Sequence, residues 1–143
     1  MAIKTIISRE ELSEIAASRY AEAERLFAEG HFAGAMFLGG SSLECYLKLA
    51  ICVTLRLDGL PSIFKIHDLE GLILCSGFDA ELQTDHAVKQ AFDEVRQEWG
   101  KDGRETLLYG SPAEFDRDRA EQFLQNLQDP KCGIIPWLKS RLS

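Results

Sequence analysis

Apolar residues recur along this chain at helical intervals. Leu12, Ile15, Ala16, Ala23, Leu26 and Phe27 share one face, the three-and-four spacing of an amphipathic helix. Ser8 followed by Glu11 forms a capping box, so this helix is predicted to begin at Arg9, and Gly30 ends it near Glu29. The turn that follows is short, so a second helix returns antiparallel. It is predicted over about Phe32 to Arg56 and is apolar nearly all round, the mark of a central element. Leu57 to Phe64 reads as a loop. Asp68 or His67 then caps a short helix to about Cys75, stopped by Gly77. Asp79 restarts a helix predicted to run to about Trp99, with Ala87, Val88, Ala91, Phe92, Val95 and Trp99 in register. Gly100 to Gly110 reads as a loop or frayed turn. Ser111 to Glu114 offers Ser at the cap, Pro at the first position and Glu at the third, a start signal for a helix ending near Leu127. Asp129-Pro130 breaks the chain, and a short terminal helix follows Pro136. No repeat, low-complexity tract or convincing strand is visible. The expected fold is all-α: one domain, residues 1–143, built as an up-and-down four-helix bundle with additional short helices.

Composition agrees with a globular domain, at 45% hydrophobic and 27% charged residues over 143 positions. Charge narrows the function. A protein that grips nucleic acid broadly through its phosphates is basic, whereas this chain carries a net charge of −7. Contact with nucleic acid must then be local or supplied by a partner. Cys45, Cys52, Cys75 and Cys132 show no CxxC spacing and no metal-like pattern with the histidines. Cys45 and Cys52 stack about two turns apart on one helix, too far for a disulfide. Reduced, partly buried thiols in a cytoplasmic protein are expected. The first residues lack a long apolar region and a small-residue cleavage site, so no signal peptide is expected. No Gly-rich phosphate loop follows a strand, and no nucleophile–base motif, metal site or cofactor site is apparent.

One feature of the second helix stands out against its apolar background. Glu44 and Lys48 lie four residues apart at its middle and share a face. The stretch is long enough to span a membrane. Each of the two charges would cost roughly 2–3 kcal/mol at the centre of a span, and amphipathic neighbours are available to cover it. A buried core helix is therefore expected, with no membrane partner. Buried charge is costly unless paired or hydrogen-bonded, so the pair should have partners. Gly34, Gly39, Gly40, Ser41 and Ser42 are the small residues of the same helix. They are expected to admit a neighbouring helix closely, in this chain or in a partner chain.

The stretch RYAEAERLFAEGHFAGAMFLGGSSLECYLKLA, followed by HDLEGLI, resembles the HEPN domain (higher eukaryotes and prokaryotes nucleotide-binding). That family places small residues before a Glu and a Leu-Lys pair in the second helix, matched here by Ser41, Ser42, Glu44, Leu47 and Lys48. Its His-Asp-Leu triplet is matched by His67, Asp68 and Leu69. The resemblance covers roughly Ser13 to Leu74; beyond that, only two further helices correspond. It implies that the second helix pairs with the His67–Asp68 segment, so that Glu44 receives the backbone N–H groups or the imidazole there. The family includes ribonuclease toxins, translation and defence factors and catalytically silent binding domains, and some members pair with a nucleotidyltransferase-fold antitoxin. A homodimer is expected from the same habit and from the glycine-serine patch.

The family's ribonucleases carry an Arg followed four to six residues later by a His near a late helix. Here Arg104 is followed by Tyr109, and no histidine occurs after His86. Tyrosine, with an ordinary pKa near 10, is a poor neutral-pH base compared with histidine. Arg25 and His31 match the spacing only at the turn after the first helix, the wrong place for the motif. Arg96, Lys101 and Arg104, with Trp99 and Tyr109, form the best local basic-aromatic cluster. The ligand-binding candidates are thus Glu44, Lys48, His67, Asp68, Arg104 and Tyr109, with no catalytic residue assigned. The leading expectation is a nucleotide- or RNA-associated binding and interaction module without ribonuclease activity, in a toxin–antitoxin or defence setting. A ribonuclease with a nonstandard site and a structural dimerisation domain without ligand remain the alternatives.

Overall fold

The computed structural model describes residues 5–100 and 105–142. Among them the fold is all-α apart from one small ribbon. Helix α1 (Arg9–Ala28) starts where its capping box directs: the Ser8 hydroxyl accepts from the Glu11 N–H at 3.1 Å and donates to the Glu11 carboxylate at 3.0 Å. Helix α2 (Phe32–Leu55) returns against α1 and closes on Arg56 in the left-handed region. Helix α3 (Leu69–Ser76) is capped by Asp68, which accepts from the Glu70 N–H at 3.2 Å, and ends at Gly77 with φ 81°.

Several boundaries differ from the sequence reading. Strand β1 (Thr5–Ser8) pairs antiparallel with β2 (Gly59–Pro61), inside the segment read as loop. Three residues are too few to show periodicity, so the pairing depends on tertiary contact. Gly59 is required there, because a Cβ would lie 2.7 Å from the Ile7 carbonyl oxygen. The helix expected from Asp79 to Trp99 is two: α4 (Asp79–Gln83) and α5 (His86–Trp99). The Asp85 side chain accepts from the Val88 N–H at 3.3 Å and starts a new helix, and Ala87 is exposed. Part of the expected loop forms α6 (Glu105–Tyr109). Ser111 does not start a long helix. Pro112–Glu114 make a 3-10 turn, and α7 (Arg117–Gln128) begins after Asp116, which accepts from the Arg119 N–H at 2.9 Å. A second cap nearby won the competition. Helix α8 (Ile134–Lys139) opens before Pro136, which sits in the first turn, where an N–H lacks a helical partner in any case.

Helix α2 is the axis of the core. Ala35, Met36, Leu43, Leu47, Ala50 and Ile51 are fully buried among side chains of α1, α3, α5, α7 and α8. It is the one described helix long and apolar enough to cross a membrane, and 67% of that apolar window is buried within the fold. Its small residues serve this chain. A Cβ on Gly39 would lie 2.9 Å from Leu127 Cδ1, and one on Gly40 would overlap the Trp99 ring. Ser42 donates to the Ala16 carbonyl at 2.6 Å, tying α2 to α1. Helices α5 and α7 are clamped by Arg119, whose Nε and Nη2 donate to Glu98 at 2.5 and 2.8 Å. Cys52 is buried, Cys45 and Cys132 are partly buried, and all four cysteines are free. Cys75 departs from expectation in being exposed.

Candidate functional site

Glu44 and Lys48 are the charged side chains that α2 carries into the interior, and no other charged residue is buried among those described. They face the loop that leads into α3. There the His67 Nδ1 lies 2.5 Å from Glu44 Oε1. A carboxylate can only accept, so Nδ1 carries the hydrogen and donates. Lys48 Nζ lies 3.9 Å from the same oxygen, at the outer limit of an ion pair. Glu44 is therefore shared between a close imidazole and a more distant ammonium.

His67 is held from a second side. Its carbonyl accepts from Trp99 Nε1 at 2.9 Å, and Trp99 is buried against Gly40. Side chain and backbone of one residue thus bind α2 and the C-terminal end of α5 to the start of α3. The absence of a Cβ at Gly40 lets the indole approach closely enough for this. The His67 side chain is 35% exposed, against 7% for Glu44 and 10% for Lys48. Among the described residues no hydrogen bond reaches Nε2. A partly exposed imidazole fixed through Nδ1 by a buried carboxylate, with no hydrogen bond at Nε2 among the described residues, can donate to, accept from or exchange a proton with a bound group.

The other candidates lie apart. Asp68 accepts from the Glu70 amide as the cap of α3. Arg104 and Lys101 lie outside the described residues. Tyr109 is 82% exposed on α6. Arg96 is engaged by Glu70 at 3.2 Å and by Asp93 at 3.7 Å, and Trp99 points inward, so these two do not form an open basic-aromatic face. His31 and His86 are exposed at the starts of α2 and α5. The role of Trp99 in holding His67 was missed in the sequence, where helical spacing marks Trp99 as buried but not against what. Among the described residues no group of three His, Cys, Asp or Glu could hold a metal ion. Comparison with known protein families, characterised proteins and solved structures finds no match to this chain.

Proposed function

We propose that this protein is a HEPN-type binding module that recognises the phosphate of a nucleotide or RNA at the face where Lys48 and His67 meet Glu44. The observation that carries the reading is the 2.5 Å contact between His67 and Glu44 beside Lys48, inside an otherwise apolar helix. It holds a partly exposed imidazole in a fixed orientation beside a lysine that shares the same carboxylate oxygen. Trp99, bonded to the His67 carbonyl, is followed in sequence by Lys101 and Arg104. An up-and-down arrangement of the four longer helices belongs to this reading and rests on the resemblance. Cytoplasmic location, a homodimer and a nucleotidyltransferase-fold partner in a toxin–antitoxin or defence setting belong to the same reading and rest on the resemblance. The glycine-serine patch no longer argues for the dimer, since α1, α5 and α7 of the same chain occupy it.

The test is binding of a nucleotide panel and short RNAs to the parent, His67→Ala and Lys48→Met, with folding checked by circular dichroism. Saturable binding weakened about tenfold or more in a folded variant is expected. No binding by the parent would leave the structural dimerisation domain as the reading. A second reading, an altered ribonuclease, is favoured by one observation: a carboxylate-oriented imidazole is the arrangement of a proton-transfer group. Single-turnover RNA cleavage by the parent, lost in His67→Ala or in an Arg104→Ala, Tyr109→Phe double variant, would establish it. Binding without turnover is the expected result.

A further inference from the structure

Tyr46 is carried into the fold by α2 with its polar end unspent. Only 6% of the residue is exposed, and its hydroxyl makes no hydrogen bond among the described residues. A hydroxyl cut off from most of its water is costly unless bonded, and buried polar groups almost always find a partner. Trp137 Nε1 is the one fully enclosed side-chain N or O without a partner among the described residues. The Tyr46 oxygen, equally unpartnered, therefore keeps an opening. The residue lines a cleft of about 340 Å³, shared with Ser13 and Ala17 of α1, Leu49 of α2, and Lys139 and Leu142 at and beyond the end of α8. That volume is within the range of small-ligand sites. None of these residues belongs to the Glu44–His67 face.

The second observation is Lys139. Its Nζ lies 5.8 Å from the centre of the Tyr46 ring, so ammonium and phenol border one mouth. Among the described residues no carboxylate comes within ion-pair distance of it, and no acidic side chain lines the cleft. In a chain of net charge −7 this is a local exception: an uncompensated cation beside an acid-free, largely apolar hollow. Burial pushes the Tyr46 hydroxyl above its ordinary value, so it keeps its proton at neutral pH and can donate.

We infer that the cleft between α1, α2 and α8 binds an aliphatic carboxylic acid as its anion. One carboxylate oxygen accepts from the Tyr46 hydroxyl, and Lys139 supplies the counter-charge and donates to the other. The alkyl stem packs on Ala17, Leu49 and Leu142. A neutral molecule of the same shape leaves Lys139 uncompensated, and an alkylammonium is repelled by it. This site is independent of the phosphate-binding reading and stands whether or not that reading does.

Isothermal titration at physiological salt tests this with octanoate. Octan-1-ol serves as the neutral stem, octylammonium as the cationic one, and a short apolar peptide with a free C-terminus as the same carboxylate on a polypeptide. The variants are Tyr46→Phe, which removes only the hydroxyl, and Lys139→Met, which keeps the stem of an exposed residue. Lys131→Met, before the start of α8, is the charge-matched control, and circular dichroism checks folding in all three. Saturable one-to-one octanoate binding is expected. It should weaken about tenfold or more in Lys139→Met, severalfold in Tyr46→Phe, and little in the control. No saturable binding, equal binding of octan-1-ol or octylammonium, binding of the peptide alone, or undiminished binding by either cleft variant overturns the inference.

Discussion

Glu44 Oε1 and His67 Nδ1 lie 2.5 Å apart across 23 residues of sequence, and this contact gives the buried carboxylate of α2 its principal partner. Replacing Glu44 by Ala should destabilise the fold by about 1–3 kcal/mol, the range for leaving a buried polar partner unsatisfied. Lys48 would also lose its counter-charge. Urea denaturation checks this, and an unchanged midpoint would reassign Glu44 from a structural to a ligand role.

Gly40 allows Trp99 to reach the His67 carbonyl. A methyl group there overlaps the indole, so Gly40→Ala should cost about 1–3 kcal/mol through overpacking, despite a gain of up to ~1 kcal/mol in helix propensity. Trp99 fluorescence should shift as the ring is displaced. A stabilised variant with unchanged emission would contradict the packing.

Alkaline pH should weaken the fold earlier than tyrosine ionisation alone would. Burial, reinforced by the Glu44 charge, pushes the Cys45 thiol up to about 11. An unfolded cysteine releases its proton near the ordinary value of about 8.5. The folded state therefore holds a proton that the unfolded state loses, and this contribution is complete below about pH 8.5 and lost as pH rises toward 11. The urea midpoint should decline across that window and decline less in Cys45→Ala. Parallel slopes for the two proteins would refute the assignment.

Trp137 Nε1 is buried with no hydrogen-bond partner among the described residues. Trp137→Phe removes this unsatisfied donor and keeps an aromatic ring against the Arg141 guanidinium, 3.9 Å from the indole centre. The released desolvation cost of about 1–3 kcal/mol offsets the lost apolar area, so the thermal midpoint should stay near the parent's. A large drop would mean that the indole N–H has a partner.

Local rules carried the sequence far. The Ser8 box, the Asp68 cap, the Gly77 stop and the apolar length of α2 depend on interactions within four residues, so each was legible from spacing. The same locality explains the errors. Between Gly110 and Arg117 two caps competed, and Ser111 with Pro112 looked as good as Asp116. The break at Thr84–Asp85 lay inside an acceptable helical pattern. Ribbon β1–β2 is too short to have a period of its own. The expected pairing of Glu44 with the His67 segment came from a resemblance, while the choice of the imidazole over the backbone amides belongs to the three-dimensional packing. Tertiary structure alone decided that Gly39 and Gly40 admit Leu127 and Trp99 of the same chain, that Trp99 anchors His67, and that a cleft remains between α1, α2 and α8. Close packing sums many weak contacts between residues distant in sequence, and a pattern along one helix records that a face is buried without recording against what.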